Sequence, residues 1–212
     1  MADAGQTPRS QRRLREVDEA ARQVIIRKGL KAATMRDISR EGGFTTGVLT
    51  HYFPDKDALI VGVFSSASDA WITRVREAFA AARSAADQLS VVVTLGIPAD
   101  PDERREWRLW AEMWSYAGWN EEFAAYIVET DALWEAELRG VLGRAVEAGL
   151  LGAGIDVAVQ ARVLARLIDG LGLRSLLSGR WDEARATLVA HLGSLGLPDD
   201  VVGRLRDLTV AS

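Results

Sequence analysis

The chain has 212 residues, is 48% hydrophobic and carries a formal net charge of −4, so it is long enough to bury a substantial core. It contains no cysteine and only two histidines, His51 and His191, which excludes a disulfide scaffold, a thiolate or His-rich metal centre and a cysteine nucleophile. No apolar run approaches the roughly 18 residues that span a bilayer, and the polar N-terminus lacks the apolar core of a secretory signal, so a soluble cytoplasmic protein is expected.

Met1 to Ser10 shows no periodicity and reads as a disordered arm. From about Gln11 to Lys28, Leu14, Val17, Ala21, Val24 and Ile25 recur at helical spacing, and Gly29 is the stop signal. Thr34 to Leu59 then holds two short helical patterns hinged on a glycine pair and closed by a proline. Thr34 caps the first, with Asp37 three positions on completing a box-like arrangement. Gly42 and Gly43 fall where that helix must stop and the backbone turn. Phe44 plugs the turn, Thr45 caps the second helix, and Pro54 ends it. This is a helix-turn-helix. Its outward residues Thr45, Thr46, Gly47, Thr50, His51 and Tyr52 are small or hydrogen-bonding groups that can enter a major groove, donate to phosphate oxygens and touch a thymine methyl. Arg12, Arg13, Thr34 and Lys56 complete the expected DNA-contacting set.

The charge distribution agrees with this division. Residues 1–56 hold 11 Lys or Arg against 7 Asp or Glu, a balance of +4, and the other 15 against 23 give −8, which together restore the −4 of the chain. A basic head on an acidic body suits a protein that touches nucleic acid with one part only.

A long helix from about Lys56 to Ala85 leads out of the head, followed by a short apolar helix from Gln88 to Leu95 and a Gly-Pro-rich loop. Two helices of about Pro101 to Ala117 and Asn120 to Ala148 concentrate the aromatic residues. Trp107, Trp110, Met113, Trp114, Phe123, Tyr126 and Trp134 are the candidate ligand-binding residues, because rings between helices line apolar pockets as readily as they fill a core, and both readings stay open. Glu112 and Glu122 lie near these rings, and rings with a carboxylate suit a cationic ligand. Asp156 caps a helix to about Leu177, and a further helix runs from Trp181 to Leu195. Their apolar residues wrap most of the circumference, so Leu164, Ile168, Leu171, Trp181, Leu188 and Leu192 are the candidates for a four-helix dimer interface, the alternative being burial within one subunit. Pro198 to Leu208 forms a short final helix. No grouping of residues supports catalysis, a metal site or a cofactor, so no enzyme is expected.

The run GGFTTGVLTHYFPDKDAL resembles the signature of TetR-family transcriptional regulators, with Gly43, Thr45, Gly47, Leu49, His51, Tyr52, Phe53, Lys56, Asp57 and Leu59 meeting the pattern. Thr50 stands where many members carry tyrosine, and Thr46 where many carry lysine. The Thr-Gly-x-x-x-His-Tyr-Phe form is similar to the subgroup that includes choline-responsive repressors. The resemblance implies an all-α fold in which an N-terminal helix-turn-helix head (1–54) is joined by a long helix to a helical ligand-binding and dimerisation body (55–212). It further implies a homodimeric repressor that binds a palindromic double-stranded operator and is released by a small organic effector. The alternative is a DNA-binding regulator controlled by a protein partner or by its abundance.

Overall fold

The computed structural model describes residues 8–210, and over them the chain forms ten α-helices and no strand. They are α1 (Pro8–Lys28), α2 (Met35–Glu41), α3 (Thr46–Tyr52), α4 (Lys56–Ala81), α5 (Ala85–Gly96), α6 (Pro101–Ala117), α7 (Glu121–Glu147), α8 (Val157–Ser178), α9 (Trp181–Ser194) and α10 (Asp199–Val210). None of these helices is long and apolar enough to cross a membrane.

Two boundaries depart from the sequence reading. Helix α1 starts at Pro8, so Pro8, Arg9 and Ser10 are helical rather than part of an arm, while residues 1–7 lie outside the described ones. A proline suits the first helical position, where its missing N–H has no partner to lose. The long helix stops at Ala81 because Ser84 opens a new one, its hydroxyl accepting from the Asp87 N–H.

The chain packs as two compact units. The first comprises residues up to Ala70 together with Arg108–Trp119, and the second comprises Trp71–Trp107 with Asn120–Ser212. In the first, α1 packs on α2 and α2 on α3. Val17, Val24, Ile25, Ile38 and Leu49 are buried there with Leu59, Val63 and Phe64 of α4 and Leu109 of α6. Burying each such side chain is worth about 1.5–3 kcal/mol. In the second unit α7 packs along α8, α9 packs on α8 and α10, and α5 packs against α7, α9 and α10. Leu89, Val93, Leu138, Leu142, Leu164 and Leu188 are fully buried among them. The Trp107 ring comes up against Gly172, where a Cβ would stand 2.0 Å from its Cη2.

Candidate nucleic-acid interface

The helix-turn-helix is built as its residues require. Thr34 and Asp37 form a reciprocal capping box: the Thr34 hydroxyl accepts from the Asp37 N–H at 3.1 Å, and the Asp37 carboxylate accepts from the Thr34 N–H at 3.2 Å. Asp37 also receives the Lys28 ammonium at 2.7 Å, and that bond, followed by the Thr34 hydroxyl, holds its carboxyl down to about 2. At the turn Gly43 takes φ +65°, open to glycine and costly for a side chain. Gly42 is required for space instead, since a Cβ there would fall 1.8 Å from the Phe44 ring. Leu49 then anchors α3 from below, fully buried.

The opposite face of α3 is largely exposed. Thr45, Thr46, Gly47, Thr50 and His51 are exposed and Tyr52 is half-buried, its ring edge-on to His51 at 5.0 Å. Thr45 occupies the N-cap backbone position but makes no side-chain cap bond. A Cβ on Gly47 would meet only the Thr45 Oγ1, at 3.8 Å, so nothing within the chain calls for glycine there.

The surrounding charges are partly committed. Arg12 and Arg13 both pair with Glu16, at 3.0 and 2.9 Å, and Arg27 pairs with Glu41. The Lys56 ammonium donates to the Leu30 carbonyl at 2.8 Å from a half-buried position, tying the start of α4 to the end of α1. Arg36, on the exposed side of α2, has no ion-pair partner among the described residues.

The aromatic candidates divide between the two units. In the first, Met113 is buried against Ser68, and Trp110 and Trp114 are half-buried on the same helix. In the second, Trp107 packs with Trp181 at 6.2 Å, Trp134 with Trp71 at 6.1 Å, and Phe123 stacks on Tyr126 at 5.8 Å. Trp107 and Trp134 are therefore core rings of their unit. Of the interface candidates, Leu164, Ile168, Trp181, Leu188 and Leu192 are buried in the subunit's own core and offer no face to a second copy; Leu171 is half-buried. The exposed side of α8 carries Val159, Val163, Arg166, Gly170, Leu173 and Leu177, at alternating steps of four and three. That is the spacing of a coiled-coil seam. Arg166 is held by Asp131, Glu135 and Asp169 at 2.9–3.3 Å, and burial, followed by the charge of Asp131, pushes the Asp169 carboxyl up to about 6.

Residues 19–63 match the family described as bacterial regulatory proteins of the tetR family, and residues 85–196, more than half of the chain, match the BetI-type transcriptional repressor C-terminal domain. The chain belongs to the TetR family. It is 22% identical to the HTH-type transcriptional regulator PksA of Bacillus subtilis over 89% of this chain and 92% of that one. It is 29% identical to the regulator BetI of Paraburkholderia xenovorans over 77% and 82% of the two. A transcriptional regulator of Saccharomonospora viridis solved in complex with choline has the same fold, with a TM-score of 0.76 at 22% identity over 84% of this chain and 94% of that one. As a TetR-family member the protein is a DNA-binding transcriptional repressor and not an enzyme.

For this TetR-family repressor, sequence reasoning did not single out Arg36 and did not separate the outward stripe of α8 from its buried face. Arg36 looked like any other arginine, because neutralisation by an acid on another helix leaves no mark in the sequence.

Proposed function

We propose that the head (1–54) binds a two-fold operator through the exposed face of α3, and that the body (55–212) holds the dimer and takes a small organic effector that releases the DNA. The observation that carries this is Gly47. A glycine with open space at its Cβ, inside a short helix that it weakens by up to ~1 kcal/mol, is explained by a surface that must approach something closely. Thr45, Thr46, Thr50, His51 and Tyr52 surround it. Arg36, exposed on α2 with no ion-pair partner among the described residues, is a candidate phosphate ligand, joined by Arg12 and Arg13 if they exchange Glu16 for phosphate.

We infer that the dimer forms along the outward stripe of α8. Gly170 has nothing within 4 Å of its Cβ position, so two copies could cross closely there. The effector contacts fall to the half-buried Trp110 and Trp114 of α6, and a small organic cation is the class to test first. Glu112 on the same helix supplies a carboxylate, and the choline-bound Saccharomonospora viridis regulator supports the choice. A cytoplasmic location accompanies this function.

The test is site selection from random duplex DNA with the full-length protein, followed by anisotropy of the selected duplex against choline and a panel of other organic cations, neutral molecules and acids. A selected two-fold site released by a cation supports the reading. Release by neutral or acidic compounds alone sinks the cationic class, release by nothing favours control by a protein partner or abundance, and no selected site rejects DNA recognition by α3.

A further inference from the structure

We propose that Gly47 and Thr50 together form a notch that reads the 5-methyl group of a thymine, so that each operator half-site contains one thymine recognised by apolar contact rather than by a hydrogen bond. This rests on the DNA-binding role of α3 given above. The Thr50 hydroxyl is turned back onto its own helix, where it donates to the carbonyls of Thr46 and Gly47 at 3.4 and 3.3 Å. Those bonds are long, and they show the direction in which Oγ1 points. With Oγ1 directed along the helix towards the preceding turn, the tetrahedral Cβ leaves the Cγ2 methyl as the tip presented outward by this exposed residue. The one hydroxyl proton is engaged inside the helix, so Thr50 donates to a base acceptor only by giving up those carbonyls.

Beside that methyl lies the empty space over Gly47, three residues earlier on the same face and bounded only by the Thr45 Oγ1 at 3.8 Å from the missing Cβ. A methyl group beside open space at a missing side chain can receive an apolar protrusion. Of the groups that base pairs present in the major groove, N7, O6, O4, N4–H2 and N6–H2 are polar, and only the C5 methyl of thymine is apolar. Cytosine at the same position lacks the methyl and would leave the space beside the Thr50 methyl unfilled.

The experiment uses full-length protein and the duplex it selects from random DNA, with each thymine replaced singly by 2′-deoxyuridine, which removes the methyl and nothing else. We expect one thymine per half-site at which replacement weakens binding about four-fold, the value of one buried methyl. Thr50→Val, which keeps the methyl and drops the hydroxyl, should retain that discrimination. Thr50→Ser, which keeps the hydroxyl and drops the methyl, should bind thymine and deoxyuridine alike. The proposal is overturned if Thr50→Ser still discriminates or Thr50→Val does not. It is also overturned if the wild type selects a site in which no thymine methyl matters, a result that would leave DNA binding by α3 standing. Failure to select any site rejects the DNA-binding reading and this one with it.

Discussion

Gly47→Ala separates stability from function. The substitution adds a Cβ whose nearest neighbour is the Thr45 Oγ1 at 3.8 Å, an ordinary van der Waals distance, so no strain enters the folded chain. Alanine is better than glycine in a helix by up to ~1 kcal/mol, and near the start of a seven-residue helix about half of that is expected. For a chain of this length the melting temperature should rise by about 1–2 °C. DNA affinity should move the other way, because the same atom occupies the space into which a base edge or phosphate must come. A loss of roughly 1–3 kcal/mol per head, at least ten-fold for a dimer, is the size of one spoiled base contact. Urea unfolding and anisotropy on the selected duplex at fixed salt read the two effects separately. A destabilised variant would mean that the space over Gly47 is not open, and unchanged affinity would remove α3 from the close-approach surface.

Three further outcomes follow from the same geometry. Lys56→Met should cost about 1.5–3 kcal/mol of stability through the lost ammonium bond to the Leu30 carbonyl and leave the salt dependence of DNA binding unchanged, whereas Arg36→Gln should reduce the log-log salt slope by about 0.9 per head; a reduced slope for Lys56→Met in a salt titration would restore it as a phosphate ligand. The pair Leu173→Glu and Leu177→Glu should give folded monomers by light scattering and circular dichroism, while Leu188→Glu, fully buried, should unfold the body; intact dimers for the double variant would move the interface off α8. Asp169 has its folded pKa raised to about 6, so its ionisation opposes folding at neutral pH and the stability it supplies when protonated is lost as pH rises through about 6. Asp169→Asn should therefore gain on the order of 1–2 kcal/mol over wild type at pH 7.5 and lose that advantage towards pH 4, a comparison that cancels the opposing contribution of His191; an advantage independent of pH would show that Asp169 is not buried charge.

The helices were legible where local chemistry sets them. The Thr34 and Asp37 pair, the Asp156 cap and the stops at Gly29 and Pro54 are decided within a few residues, and the structure places each where the sequence pattern does. What depends on distant partners was not legible. Helix α8 is apolar nearly all round, so its pattern could not say that Leu164 and Ile168 face the core and Val163 and Leu173 the outside. Trp107 is a core ring whose place depends on Gly172, far along the chain, having no Cβ, and no local rule connects those two positions.

The two threonine caps carry this contrast into the recognition element itself. Thr34 and Thr45 precede similar short helices and read alike in sequence. Yet Thr34 has its hydroxyl donating to Asp37 and accepting from the Asp37 N–H, so it is closed upon its own helix and poorly placed to be the DNA ligand that the sequence suggested. Thr45 makes no such bond. Helix α3 thus begins uncapped, carries a glycine at its second position and β-branched Thr46, Val48 and Thr50 over seven residues, all choices that weaken an isolated helix. Its order comes from Leu49 beneath it and from the turn fixed by Gly43. A helix whose buried face is held from below can carry locally unfavourable residues on its outer face, and such departures from local preference are where functional surfaces are sought. The Thr45 hydroxyl that makes no cap bond and the open space over Gly47 set α3 apart from α2, whose Thr34 hydroxyl is closed upon its own helix, and they are what the Gly47 and Thr50 substitutions proposed above would probe.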